Sequence, residues 1–286
     1  MKPTLFEIAE QTRADAYPSV PTTLGFAPKQ TIKIVAEGDS WFSYFPAYDV
    51  LACLRQDKWG NRHYDIKGWP RAGSYLNDMV YSPHQLADTL QQIIEHRPQV
   101  FLFSGGGNDI AGPELFDFLW NKFAGNSPPE GAPPRVLNAK VVQGVVDEVF
   151  EQSYRDLIEV VRQCAERAGI KKLPIIFHGY GHAIPDGRGW GGGGGPLPGP
   201  WLDPSLTRKN WERVADATAR RDAIRQLIDA FNAMQVRIAA DTPDVHHVDV
   251  RGLLNDDDWG NELHPTKDGF MKVATAIEAK LRQVVP

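Results

Sequence analysis

The sequence predicts an α/β sandwich around a mostly parallel sheet. Three observations lead there. Short apolar runs alternate with amphipathic helical stretches over roughly 250 residues, the pattern of sheets flanked by helices. The runs are apolar throughout rather than alternating, as suits central strands covered on both faces. Four of them end in Gly, Asp, Ser, Asn or His, and in such folds chemistry gathers at the carboxyl ends of the strands.

The elements follow in order. Residues 1–30 read as an N-terminal arm with one short helix, and residues 31–286 as a single domain. Ile32-Lys33-Ile34-Val35-Ala36 forms the first strand and runs into Gly38-Asp39-Ser40. The segment 41–60 is dense in Trp, Phe and Tyr, and 63–67 is a short strand before Gly68-Trp69-Pro70. After Pro83, Leu86, Leu90, Ile93 and Ile94 recur at helical spacing until Pro98 stops them. Residues 99–103 are a strand closed by Ser104-Gly105-Gly106-Gly107; 148–168 are an amphipathic helix with Gly169 as its stop. Strands are expected at 173–177 and 245–250, a long and broken helical region at 207–239, and a last helix at 266–283 opened by Pro265 and Thr266. Insertions interrupt this alternation near 111–144, which mixes aromatics with Pro and Gly, and near 185–206, which holds five consecutive glycines at 191–195. Loops of that length are usually functional or disordered. The first is expected to help wall a site and the second to be a mobile surface loop; without a following Lys-Ser/Thr the glycine run lacks the features of a phosphate cradle.

Bulk properties narrow the function. With 286 residues, 42% of them hydrophobic, the chain has ample material for a core. A formal net charge of -5 argues against nonspecific binding to nucleic acid or anionic membranes. Two cysteines, Cys53 and Cys164, make neither a disulfide framework nor a metal-ligand spacing. No signal peptide is read in the first residues and no stretch has the length of a membrane span, so a cytoplasmic protein is the default expectation. The oligomeric state is left open.

Ser40, delivered by a strand onto the following turn, is either a helix cap or a nucleophile. A serine hydroxyl needs a base. Among eight histidines His264 stands out, in Trp259-Gly260-Asn261-Glu262-Leu263-His264-Pro265 just before the last helix. An oxyanion needs donors, and Asn108, after a strand and three glycines, carries a suitable amide. Gly73, in Arg71-Ala72-Gly73-Ser74, is a further backbone donor.

These residues resemble the blocks of the SGNH hydrolases, the GDSL-like esterase and lipase family. Gly38-Asp39-Ser40 is similar to the nucleophile block, Gly73 to the glycine that lends an oxyanion N–H, Gly107-Asn108-Asp109 to the oxyanion asparagine block, and His264-Pro265 to the block of the base. They occur in the family's order and span residues 38–265. The resemblance implies a three-layer α/β/α sandwich of flavodoxin-like type and a serine esterase acting on a lipid, a small acyl ester or an acylated sugar, with no metal or organic cofactor. Its partner is then a small-molecule ester. The alternatives are a glycan O-deacetylase using the same residues, and a noncatalytic ligand-binding protein on the same scaffold.

One departure is plain. The family has an aspartate three residues before the histidine; here that residue is Asn261. Asparagine can orient an imidazole but cannot offset its positive charge. Three arrangements are open: a dyad assisted by Asn261 or a backbone carbonyl, a role for Glu262, or an acid from elsewhere such as Asp258, Asp257 or Asp249. Asp39 and Asp109 are expected to brace loops. Trp41, Phe42 and His178 are expected around the substrate pocket, and Trp69, Tyr75 and the aromatics of 116–123 suggest an apolar or carbohydrate-stacking cleft.

Overall fold

The computed structural model describes residues 29–45, 48–124, 132–192 and 198–286. The expected arm over 1–30 lies outside them, apart from Lys29 and Gln30. Among the described residues the sheet has five strands: β1 Gln30–Gly38, β2 Arg62–Lys67, β3 Val100–Ser104, β4 Ile175–His178 and β5 Val245–Val248. Their order is β2-β1-β3-β4-β5 and every pairing is parallel. This is the flavodoxin-like order, whose crevice opens between β1 and β3, where the direction of winding reverses.

Position in the sheet explains the sequence patterns. β3 and β4 are buried at every residue, so both read as unbroken apolar runs. β2 lies at the edge and alternates, with Arg62, Tyr64 and Ile66 inward and His63, Asp65 and Lys67 more exposed. That alternation left it a weak signal in the sequence.

One helical layer is formed by α3 Pro83–His96, α6 Glu151–Arg167 and α8 Ala217–Asp241, packed side by side. The other holds α1 Val50–Leu54 against α9 Lys267–Val284. Local chemistry sets the boundaries. Thr266 caps α9, its hydroxyl accepting from the Gly269 amide at 3.2 Å. Gly169, at φ 72°, closes the turn after α6. The long helical region expected at 207–239 is two helices, α7 Asp203–Arg208 and α8, separated by a loop through Trp211. The helix expected from 148 starts as a π-helical turn over Gly144–Phe150 before α6 proper. Short helices at Leu76–Tyr81 (α2), Leu115–Phe118 (α4) and Ala139–Gln143 (α5) complete the described elements of this length.

Gly68 has a clear reason to be glycine. Its φ is +136°, and a Cβ there would stand 1.9 Å from the Ala36 carbonyl oxygen. The chain leaving β2 thus crosses β1 backbone to backbone, and so carries the following Arg71–Ser74 loop to the carboxyl end of β1.

Candidate active site

Ser40 follows directly on β1. The Asp39 amide continues the β1–β3 ladder onto the Ser104 carbonyl at 3.0 Å, and the Phe42 and Ser43 amides both return to the Asp39 carbonyl at 3.1 Å. This tight turn starts no helix; α1 begins only at Val50, capped by Asp49. The Asp39 carboxylate lies beneath the turn. Its Oδ1 accepts from the Trp41 amide at 2.9 Å and the Ser104 hydroxyl at 3.0 Å, and its Oδ2 accepts from the Tyr180 hydroxyl. The Tyr180 oxygen in turn accepts from the Gly107 amide at 3.2 Å. Burial pushes the Asp39 carboxyl up, against these hydrogen bonds. Asp39 therefore fastens the carboxyl ends of β1, β3 and β4 together around Ser40.

His264 reaches Ser40 from the loop before α9. Its Nε2 stands 2.8 Å from the Ser40 Oγ, and its Nδ1 stands 3.0 Å from Asn261 Oδ1. The same Oδ1 accepts from the Leu263 and His264 amides at 3.0 and 2.9 Å, while Asn261 Nδ2 donates to the Tyr44 hydroxyl oxygen at 2.9 Å. Two backbone N–H groups aimed at one amide atom identify that atom as the oxygen. Nδ1 must then be the protonated nitrogen, which leaves the Nε2 lone pair facing the serine hydroxyl. Burial pushes the imidazole down to about 3, and among the described residues no neighbouring charge counters it. The Tyr44 ring lies over the imidazole at 4.0 Å and 17°, and Trp201 meets it edge-on at 5.4 Å.

Asn108 opens a 3-10 turn beyond β3. One N–H of its side chain donates to the Ser74 carbonyl at 2.9 Å, which ties it to the loop carrying Gly73. That loop is anchored at its start by the Arg71 amide on the Gly38 carbonyl at 2.8 Å, and Gly73 turns it at φ +83°. The preceding glycines are dictated by space: a Cβ on Gly106 would lie 2.7 Å from the Phe231 ring, and one on Gly107 2.8 Å from Tyr180. Asp109 Oδ2 accepts from the Leu76 amide at 2.9 Å, at the start of α2, and burial pushes its carboxyl up to about 6.

Glu262 does not reach His264. Its carboxylate is fully buried and turned the other way, onto four backbone amides. Oε1 accepts from Gly187 at 2.9 Å and Asp203 at 3.1 Å; Oε2 accepts from Trp201 at 2.6 Å and Leu202 at 2.7 Å. The expectation that it orients the base is corrected accordingly, because both oxygens are occupied. Asp258 is engaged with Lys272 at 2.6 Å and Asp249 with Arg251 at 2.6 Å. The insertion near 185–206 is thus held at both ends against the histidine loop. Residues 193–197, which include the last three glycines of the run, lie outside the described residues, but Trp201 and Leu202 beyond it belong to the site, which the sequence did not reveal.

The profile of the GDSL-like lipase/acylhydrolase family matches residues 34–271. The chain belongs to this family. It is an SGNH-type hydrolase of the esterase kind. Among solved structures, a family 3 carbohydrate esterase from Clostridium thermocellum is similar in fold, with a TM-score of 0.50 at 14% identity over 89% of this chain and 98% of that one. A member of the lipolytic G-D-S-L family from Veillonella parvula matches at a TM-score of 0.43 and 12% identity, over 88% of this chain and 99% of that one. No curated protein sequence matches. Among the described residues no helix of this hydrolase is long and apolar enough to cross a membrane.

Beside Ser40 the hydrolase has a cavity of about 40 Å³ lined by Asn108, Trp41 and Tyr180 and closed by Ile110, Ala111, Leu202, Ile224, Leu227 and Ile228. Ile110 and Ala111 stand where the insertion near 111–144 begins, Leu202 comes from the second insertion, and the last three from α8. Trp41 lines this cavity. Phe42 and His178 do not: both are buried behind it, their rings 5.4 Å apart, and neither lines the cavity. A turn as tight as that after Ser40 sends neighbouring side chains in opposite directions, so Trp41 faces the cavity and Phe42 the core. His178 stacks at 5.4 Å beneath Trp41, donates Nδ1–H to the Gly179 carbonyl, and is pushed down to about 4 by burial. His182 pairs with Asp229 at 3.0 Å and does not line the cavity.

Proposed function

We propose that this hydrolase is a serine esterase that forms an acyl-enzyme on Ser40, with His264 as base. The observation that carries the reading is the hydrogen-bonded series Ser40 Oγ, His264 Nε2, His264 Nδ1, Asn261 Oδ1, at 2.8 and 3.0 Å. Ser40 Oγ attacks the ester carbonyl carbon as its proton passes to Nε2. The oxyanion is met by the Ser40 and Gly73 N–H groups and by the second N–H of the Asn108 amide, the first being spent on Ser74. His264 then hands the proton to the leaving alcohol. Water, deprotonated by the same nitrogen, attacks the acyl-enzyme and releases the acid. Asn261 keeps the imidazole in the tautomer that this sequence of transfers needs, as an asparagine does in Cys-His-Asn proteases.

The cavity supports a short acyl group. Its roughly 40 Å³ holds about three water-sized bodies, room for a small acyl group such as acetyl beside Ser40. Release of an acetyl group from a sugar is the second reading. It is favoured by Trp69, 59% exposed in the segment leading to Gly73, where an aromatic face is open to a ring. The noncatalytic alternative rested on Asn261 alone, and a neutral amide holding the working tautomer removes that ground.

The test is an aryl phosphonate together with aryl acetate hydrolysis. Labelling is expected at Ser40 and nowhere else, and Ser40→Ala is expected to abolish both labelling and turnover. Full turnover by Ser40→Ala overturns the proposal.

A further inference from the structure

We infer that Tyr44 is a positioning residue for the base: its ring face stabilises the His264 imidazolium that Asn261, being neutral, leaves without a counter-charge. The inference rests on His264 being the general base.

The need comes first. When the Ser40 proton arrives at Nε2, a cation forms in a buried site, and the environment works against it. An aspartate at position 261 would offset that cost by its charge. Asn261 offers a carbonyl dipole already shared among three donors, the Leu263 amide, the His264 amide and Nδ1–H. The nearby carboxylates do not replace it. Glu262 is turned onto the amides of 187 and 201–203, Asp39 is committed beneath the nucleophile turn, and Asp258 is paired with Lys272. Asp49 is engaged with backbone, accepting from the Tyr44 and Ala52 amides.

Tyr44 meets the need in two ways. Its ring is stacked on the imidazole, 4.0 Å between centroids and 17° from parallel, so the electron-rich face meets the ring that becomes charged. Attraction of a cation to that face exceeds attraction of the neutral ring, so the contact strengthens as the proton arrives. Its hydroxyl oxygen also accepts from Asn261 Nδ2 at 2.9 Å, which holds the amide with its oxygen toward Nδ1. Burial pushes the Tyr44 hydroxyl up to about 12, so the group stays neutral and acts through its ring rather than as an anion. Both roles are exerted through other side chains.

The test keeps the shape of residue 44 and varies its electronics. Tyr44→Phe retains the face and gives up the hydroxyl; Tyr44→pentafluorophenylalanine retains the ring shape and reverses the sign of its face. For aryl acetate hydrolysis, kcat of Tyr44→Phe is expected within about threefold of wild type, because the Leu263 and His264 amides still hold the Asn261 oxygen toward Nδ1 when the hydroxyl is gone. The fluorinated variant is expected about tenfold below Tyr44→Phe with KM unchanged, the scale of a desolvated cation–π contact. In an Asn261→Asp background, where a carboxylate supplies the charge, the fluorination penalty is expected to shrink below threefold. Equal kcat for the two ring variants, or an equal penalty in both backgrounds, overturns the inference. So does a collapse of Tyr44→Phe to the level of the fluorinated variant, which would assign the effect to the hydroxyl. Ser40→Ala runs alongside: turnover there is the failure of the base-and-nucleophile reading itself, whatever Tyr44 does.

Discussion

Replacing Glu262 by glutamine separates a structural anchor from a catalytic acid. The buried carboxylate accepts four backbone N–H groups at 2.6–3.1 Å. A glutamine presents one oxygen and one NH2, so one pair of amides, either Gly187 and Asp203 or Trp201 and Leu202, comes to face a donor. Hydrogen bonds to a charged group contribute about 1.5–3 kcal/mol each. Two of them lost, less the desolvation cost that a neutral amide no longer bears, leaves a net destabilisation of about 3 kcal/mol. For a chain of 286 residues that lowers Tm by about 5 °C. Calorimetry measures the shift, and amide exchange at 187–188 and 201–203 locates it. Activity should respond differently. The Ser40–His264–Asn261 hydrogen bonds do not involve Glu262, so kcat should fall only a few-fold. KM should rise more, because Leu202 walls the cavity. Two results refute the reasoning: an unchanged Tm with unchanged exchange, or a thousandfold fall in kcat without loss of stability, which would make Glu262 act on the base.

Asn108→Ala should lower kcat for aryl acetate about 10²–10³-fold with KM little altered, since on the proposed mechanism the amide N–H acts on the oxyanion; steady-state kinetics on a variant of unchanged Tm checks this. The pH dependence follows from His264, held at about 3 by burial against an ordinary value of 6.5. On the proposed mechanism the neutral imidazole is the working form, and it is the free enzyme's form throughout pH 5–7, so kcat/KM should stay level there, and its acid limb should lie near pH 4 or below. The linked effect on stability has a definite sign. Between about 3 and 6.5 the unfolded chain binds a proton at this residue that the folded one refuses, so this contribution is present above 6.5 and is lost as pH falls. Thermal melts of wild type against His264→Gln over that range should show the wild type losing ground as pH drops.

The sheet was readable where burial made strands apolar on both faces, as in β1, β3 and β4, and less so in β2, whose edge position leaves half its side chains polar. The break between α7 and α8 was marked only loosely, because what ends α7 is tertiary: Arg220, buried in α8, donates to the Trp211 and Pro185 carbonyls and to the Asp203 carboxylate. At the site, Ser40, Asn108 and His264 stood at the ends of predicted elements and are brought together. Asn261 was recognisable as an oddity, but whether it could serve depended on which way its amide points, and that is decided by Tyr44 and two backbone amides. Glu262 drew attention by adjacency to Asn261, the position of the family's aspartate, and adjacency was misleading: its carboxylate is turned onto the amides of 187 and 201–203. Leu202 and the α8 residues lining the cavity carry no sequence mark, since an apolar residue beside a substrate has the same pattern as one in a core.

Asn261 and His264 belong to the same short loop as Glu262, so one segment grips both the base and the substrate wall. The Glu262 clasp recognises main-chain amides, not side chains, at 201 and 202. The residue at 202, which walls the cavity, is therefore free to differ in size and polarity while the loop keeps its place, whereas Trp201 is held by its edge-on contact with His264. A change of acyl preference can arise there without disturbing the alignment of Ser40 and His264, and the hydrolase is in this sense divided into a part that is exchangeable and a part that is not.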